Sequence, residues 1–186
     1  LSSNQTASSA LVLGGTDPKY AAGDFVYTKV ALAAHLLPYW LISAKDITVG
    51  GASLSLCNKL FGCEMVVDTG TSILAGPPSA VQPLINKIGN VTADCSNVHT
   101  LPNISFTFAL GGGKSQDMVL TPEQYTYKAT LATGETQCEC GLFAFDAGEG
   151  ILPLWILGDP FLRSYFAVFN RGTNMIQFAP SNPKAQ

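Results

Sequence analysis

The chain has 186 residues, of which 47% are hydrophobic and 12% are charged, and its formal net charge is -3. This composition excludes an intrinsically disordered chain, and the length suits a single hydrophobic core. The absence of a basic patch argues against a nucleic-acid partner. No apolar run approaches the ~20 residues of a transmembrane helix, so we expect no membrane segment in this chain. Because the sequence starts without an initiator Met or a signal peptide, we expect residue 1 to be a processing or cloning boundary.

Short alternating or apolar runs, separated by Gly, Pro, Asp and Ser, follow one another along the chain and predict strands. The runs are residues 10–13, 25–30, 40–43, 47–49, 54–56, 104–108, 118–120, 166–169 and 175–178. Gly50-Gly51 predicts a hairpin turn, as do residues 111–113 and 170–174. Strands at this spacing predict an all-β fold that is mostly antiparallel, with a few short helices.

One helix is predicted over residues 78–88. Val81, Leu84, Ile85 and Ile88 would share one face of it, and Gly89 would end it. Shorter turns are expected at residues 122–125 and 160–163. No linker, repeat or low-complexity segment interrupts the pattern, so residues 1–186 are expected to form one unit.

The five cysteines favour disulfide bonds over a metal site. Cys57 and Cys63 lack His partners and a second CxxC pair, so a small disulfide loop is a better interpretation than zinc. An odd cysteine remains, as a free thiol or an intermolecular link.

Three N-x-S/T sequons start at Asn4, Asn90 and Asn103. Together with the paired cysteines they favour a secreted, lysosomal or vacuolar protein. Asn4 and Asn90 are candidate glycosylation sites, whereas Asn103 opens a predicted strand and is not expected to be used.

A single acidic turn carries the candidate chemistry. Asp68, Thr69, Gly70, Thr71 and Ser72 directly follow an apolar run, which places one carboxylate on a sharp turn among small hydroxyl residues. Such a group can hold and activate a water, but that chemistry normally needs two carboxylates with different pKa values. Taken alone, the same residues also fit an ordinary Asx-turn.

Other titratable residues are less suitable as partners for Asp68. Asp159 is interpreted as structural, and Glu64, Asp17 and Asp46 are expected to be solvated. His35 and His99 lie in loop-like surroundings and are not expected to be functional.

Several segments in order give the chain a specific family resemblance. Residues 66–77 resemble the second active-site turn of the pepsin-like aspartic proteases, cathepsin D-type members in particular, and residues 154–161 resemble the apolar-apolar-Gly segment that accompanies it. Residues 13–17, 38–40, 165–170 and 176–179 also fit, so the resemblance runs from about Leu11 to Pro180.

The resemblance implies that this chain is only the C-terminal lobe of a two-lobed endopeptidase. The first Asp turn and the flap would lie on an N-terminal lobe, which is the expected partner together with a peptide or protein substrate. Asp68 would supply one catalytic carboxylate, no cofactor or metal would be needed, and apolar residues would be preferred around the cleaved bond. The isolated chain is then expected to be inactive.

The resemblance also implies roles for individual residues. Thr69 would bond across to the partner lobe, Gly70 would donate its N–H to Asp68, and Thr71 would bond the outer carboxylate oxygen. The residues expected to contact substrate are Ser72, Tyr39, Val66, Ile73 and Ile156, although Tyr39 and Val66 also fit plain core positions.

The cysteines fit the same family pattern. Cys57 and Cys63 would close a small loop before the Asp turn. Cys95 would form a long-range bridge with Cys138 or Cys140, and the position of Gly141 favours Cys138, which leaves Cys140 extra.

Two further functions stay open from the sequence. The lobe could bind peptides or partners without catalysis, or it could form a homodimer that brings two copies of Asp68 into a symmetric dyad.

Overall fold

The computed structural model describes residues 9–31, 39–110, 113–145 and 154–185. Within these ranges the fold is mostly β, as predicted, and its helices are short. The strands are β1 Val26–Lys29, β2 Leu41–Val49, β3 Ala52–Ser53, β4 Cys63–Val67, β5 Leu74–Gly76, β6 Ile104–Ala109, β7 Ser115–Leu120, β8 Thr126–Thr130, β9 Thr136–Cys140, β10 Leu142–Ala144, β11 Leu154–Leu157, β12 Tyr165–Asn170 and β13 Met175–Pro180. The helices are α1 Pro78–Ile88, α2 Pro122–Tyr125 and α3 Asp159–Ser164.

Most of the strands belong to one large sheet. Its order is β10-β5-β11-β4-β2-β6-β7, and β3 pairs with β2. Strand β4 runs parallel to β11 on one side and antiparallel to β2 on the other. A three-stranded antiparallel sheet, β1-β13-β12, and a β8-β9 hairpin complete the described fold. The strand that leads to Asp68 is therefore an interior strand of the large sheet.

An aromatic cluster joins the large sheet to the three-stranded one. Phe161 of α3 is fully buried, and its ring centroid lies 6.2 Å from Phe106, 6.1 Å from Phe108 and 5.4 Å from Phe178. The alternation of β6 places Phe106 and Phe108 on the same face. Burial of each such side chain contributes about 1.5–3 kcal/mol, so this cluster anchors α3 and with it the end of β11.

Helix α1 confirms the predicted helix. Val81, Leu84 and Ile88 are buried against the sheet, and Ile85 is partly buried at the edge of the same face. Gly89 ends the helix with a φ of 90°, and its N–H donates to the Ile85 carbonyl at 3.0 Å. A positive φ favours glycine, so the residue that marked the helix end in the sequence has that role in the fold.

Four predicted strands differ from those observed. Residues 10–13 form no strand, and Leu11 and Leu13 are 85% and 83% exposed. Residues 40–43 and 47–49 merge into β2, which continues through a register shift between Ala44 and Asp46. A local bulge lets one strand keep pairing while an extra residue is accommodated.

The predicted hairpin at Gly50 and Gly51 is confirmed. Both glycines have positive φ, 59° and 79°, as a tight two-residue connection requires. The strand that follows is shorter than predicted and precedes residues 54–56, because Ser55 adopts a φ of 51° that is incompatible with a continued strand. Gly111 and Gly112, predicted to form another turn, lie outside the described residues.

Two disulfide bonds are present. Cys57 bonds Cys63, and Cys95 bonds Cys138, which ties the segment after α1 to β9. Cys140 keeps a free, partly buried thiol, and burial raises the pKa of that thiol. No helix among the described residues is long and apolar enough to cross a membrane.

Glu64 corrects an expectation from the sequence. It was expected to be solvated, but its side chain is only 9% exposed, in β4 between Ser43 of β2 and Leu154 of β11. Its Oε2 is enclosed and has no hydrogen-bond partner among the described residues. Burial raises the pKa of Glu64, and the Ser43 hydroxyl offsets part of this effect.

We predict that Glu64 makes the fold more stable in acid. A raised pKa in the folded state means that its stabilisation is complete below the unfolded pKa of about 4.3 and is lost as the pH rises through the folded value. Glu64→Gln removes this titration. The variant should therefore gain free energy of unfolding relative to the wild type as the pH rises above about 4.3, as measured by denaturant unfolding.

Glu135→Gln is the matched control, because Glu135 is exposed in the turn before β9. Its pH profile should follow that of the wild type. Parallel profiles for wild type and Glu64→Gln would show that the buried carboxyl does not control the acid stability.

Candidate active site

Neighbouring strands hold the Asp68 turn on both sides. Asp68 directly follows β4, and its N–H donates to the Leu157 carbonyl of β11 at 3.1 Å. On the other side, the Val67 N–H donates to the Trp40 carbonyl at 2.9 Å. Interior strands are anchored by backbone bonds on both edges, so the carboxylate stands on a rigid support.

Both carboxylate oxygens of Asp68 are held by residues of its own turn. Oδ1 accepts the Gly70 N–H at 2.9 Å, and Oδ2 accepts the Thr71 hydroxyl at 2.6 Å. A Cβ on residue 70 would lie 3.3 Å from Oδ1, so glycine permits this close approach. Together these two hydrogen bonds fix the plane of the half-buried carboxyl group.

The end of β11 lies directly against the back of the turn. A Cβ on Gly158 would collide with the carbonyl oxygens of Thr71 and Ile73. The Asp159 N–H donates to the Thr71 carbonyl at 2.8 Å. The apolar-apolar-Gly segment thus contacts the Asp turn through its backbone, which only a residue without a side chain allows at position 158.

Two of the predicted substrate residues are cross-strand neighbours. Val66 of β4 pairs with Ile156 of β11, and both are half-buried. Tyr39 is 51% exposed and immediately precedes the Trp40 carbonyl that bonds Val67. The antiparallel register of β2 and β4 therefore brings Tyr39 level with Asp68.

The remaining predicted residues lie on the turn itself. Thr69 and Ser72 are exposed, and Ile73 is half-buried. In the described part of the chain the Thr69 hydroxyl has no hydrogen-bond partner, unlike that of Thr71. The turn therefore exposes one carboxyl group fixed by hydrogen bonds, the free Thr69 hydroxyl and part of the apolar side chain of Ile73.

No second carboxylate bonds this turn among the described residues. Asp17 pairs with Lys19 at 2.9 Å, and Asp46 accepts from the Ile47 N–H and the Ser53 hydroxyl. Asp159 begins α3 and reaches the turn only through its backbone. Within the same ranges, no cluster of three or more His, Cys, Asp or Glu residues is placed to hold a metal ion.

His99 lies in a short 3-10 helix, Val98–Thr100, and in the described part of the chain it makes no hydrogen bond or ion pair with Asp68. His35 lies outside the described residues.

The residues that support the turn through their backbone could not be predicted from the sequence. The carbonyls of Trp40 and Leu157 are acceptors that any residue type could provide. The role of Gly76 was not predicted either. A Cβ at this position would collide with the Trp155 ring, so the lack of a side chain lets β5 pair with β11. The only available signal was a glycine at the end of a short apolar run, which is weak.

Comparisons with known proteins agree with this geometry. The family model described as eukaryotic aspartyl protease matches residues 1–181. Cathepsin D of Clupea harengus is 43% identical over 178 residues, which is 92% of this chain and 42% of that protein. Cathepsin D of Homo sapiens is 40% identical over 176 residues, covering 91% of this chain and 40% of that protein.

Pepsin A of Bos taurus is 34% identical over 187 residues, which is 97% of this chain and 46% of that protein. The chain therefore spans less than half the length of the curated relatives it matches. Since the family model covers nearly every residue, the chain belongs to the eukaryotic aspartyl protease family.

Proposed function

We propose that this chain is the C-terminal lobe of a two-lobed aspartic endopeptidase and that Asp68 is one of its two catalytic aspartates. The observation that carries the proposal is the Asp68 carboxylate, whose two oxygens are held by the Gly70 N–H and the Thr71 hydroxyl on an exposed turn. The membership of the family and the match to less than half of each relative support a missing lobe.

The proposed reaction is hydrolysis of a peptide bond by an activated water. Asp68 and an aspartate of the other lobe would share one proton and hold the water between them. The ionised carboxylate takes a proton as the water oxygen attacks the carbonyl carbon, and the protonated one donates to the carbonyl oxygen. The C–N bond then breaks as the aspartate that took the proton of the water donates it to the leaving nitrogen, and a hydroxyl of the tetrahedral intermediate returns its proton to the other aspartate. Because one aspartate must stay protonated, the reaction favours acidic pH.

The N-terminal lobe is the proposed partner. Thr69 is exposed and its hydroxyl is free in the described part of the chain, which suits a bond to the equivalent residue of the other lobe. Leu11 and Leu13 are more than four-fifths exposed, and a second lobe would cover such apolar side chains.

The proposed substrate is a peptide or protein with apolar residues around the cleaved bond. Val66, Ile73 and Ile156 provide half-buried apolar side chains near the turn, and Tyr39 adds an exposed ring. Ser72 is exposed and would face the substrate backbone. Burial of apolar side chains is favourable, so this apolar surface beside the turn favours substrates with apolar side chains.

A secreted, lysosomal or vacuolar location is proposed for the same protein. The two disulfides suit an oxidising compartment. The sequon at Asn90 is exposed, while that at Asn4 lies outside the described residues.

Replacement of the catalytic carboxylate tests the function. In the full-length protein, Asp68→Asn should lower kcat for cleavage of an apolar peptide at acidic pH by about 10²–10⁴-fold, because the amide cannot exchange the proton. Asp24→Asn, at an exposed position, is the matched control and should retain activity. Equal activity of Asp68→Asn and wild type would refute the proposed role.

Sedimentation and activity assays separate the alternatives. We expect the isolated chain to be inactive and to regain cleavage when the N-terminal lobe is added. An active dimer of the isolated chain would indicate a symmetric pair of Asp68 residues instead. A full-length protein that binds but does not cleave peptides would indicate a non-catalytic binding lobe.

A second variant tests the support beneath the turn. Gly158→Ala should displace the Thr71 and Ile73 carbonyls, lower the free energy of unfolding by about 1–3 kcal/mol and reduce kcat. Gly15→Ala is the control, since a Cβ there meets nothing within 4 Å. Thermal unfolding and peptide cleavage are measured for both variants. An unchanged kcat for Gly158→Ala would contradict the claim that the backbone at residue 158 holds the Asp68 turn in position.

A further inference from the structure

We propose that Asn90 carries an N-linked glycan that covers the groove between the end of α1 and β9, where the Cys140 thiol lies. The proposal rests on the proposed secretory location of the protein and does not depend on catalytic activity.

The sequon is well placed for modification. Asn90, Val91 and Thr92 come directly after Gly89, which ends α1, and Asn90 is exposed. An N-linked glycan needs an accessible asparagine on a surface loop, because the attached sugar is bulky and polar. In the described part of the chain the Asn90 side-chain amide has no hydrogen-bond partner, so attachment of a sugar would break no bond of the fold.

The loop is ordered around this free side chain. The Asn90 carbonyl accepts from Nδ2 of Asn97 at 2.7 Å, and the Thr92 hydroxyl donates to Oδ1 of Asn97 at 3.0 Å. The Cys95–Cys138 disulfide ties the same loop to β9. A sugar on Asn90 would therefore start from a defined position relative to β9.

The groove beside Asn90 lies between the end of α1 and β9. Ile85, Gly89, Asn90, Cys138 and Cys140 are among the residues that line it. Cys138 and Cys140 are two residues apart in β9 and so share a face of the strand. Reagents from solvent would reach the free thiol and the adjacent disulfide through this groove, and thiols exchange with accessible disulfides.

The attachment step is a group transfer with a defined balance. Nδ2 of Asn90 bonds to C1 of an oligosaccharide carried on a polyprenyl diphosphate, and the bond from C1 to the diphosphate oxygen breaks. The polyprenyl diphosphate leaves, and one amide proton is lost to the transferase. The Thr92 hydroxyl is needed for recognition of the sequon, and no oxidant or reductant takes part.

Site mapping tests the modification. The full-length protein is expressed with an added signal peptide in eukaryotic cells and collected from the medium. It therefore meets the transferase whatever its natural location. Release of glycans by an amidase in heavy-oxygen water converts a modified asparagine to a labelled aspartate. We expect the label at Asn90 in most molecules, its loss in Asn90→Gln and Thr92→Ala, and its retention in Thr92→Ser. An unmodified Asn90 in the secreted protein would overturn the proposal.

Thiol labelling tests whether the glycan shields the Cys140 thiol from reagents in solvent. A maleimide reagent should modify Cys140 several-fold faster in Asn90→Gln, and in enzymatically deglycosylated wild type, than in the glycosylated protein. Asn86→Gln is the matched control, because Asn86 lines the same groove but is not in a sequon. It should label at the wild-type rate, and Cys140→Ser should abolish the signal. Equal labelling rates with and without the glycan would overturn the proposal that the glycan covers the groove. Neither the site mapping nor the labelling depends on peptide cleavage.

Discussion

The candidate site depends on the contact between the end of β11 and the Asp68 turn. Gly158 brings its backbone against the carbonyls of Thr71 and Ile73, and the Leu157 carbonyl accepts the Asp68 N–H. These segments are distant in the sequence and meet only because β11 runs parallel to β4. The hydroxyl and the amide that orient the carboxylate are in turn held by this contact, so the chemistry depends on a backbone approach that a side chain would prevent.

The carboxyl group within β4 and the one that directly follows it have different environments. Glu64 is enclosed between β2 and β11, and burial raises its pKa. Asp68 lies past the end of the strand, half-buried, with hydrogen bonds to both oxygens. Burial and the lack of a partner for Oε2 favour the neutral form of Glu64, whereas both oxygens of Asp68 accept hydrogen bonds just past the end of the strand.

The sequence predicted the features that depend on local order. The periodicity of α1, the glycine that ends it and the glycine pair of the β2-β3 hairpin all have local physical causes, and all are confirmed. Residues 10–13 were wrongly predicted as a strand, because alternation cannot show whether a pairing strand is present. Glu64 was wrongly expected to be solvated, because its burial depends on β2, which precedes it in the sequence, and on β11, which follows it much later.

By itself the sequence determined the fold class, the main helix and the Asp68 turn, since these follow from periodicity and from a motif within a few residues. The tertiary structure alone decided which backbone groups support that turn, which of the acidic residues is buried, and that Cys140 shares a groove with Asn90. Such facts depend on contacts between segments far apart in the chain, and residue type carries little information about a carbonyl acceptor or a neighbouring strand.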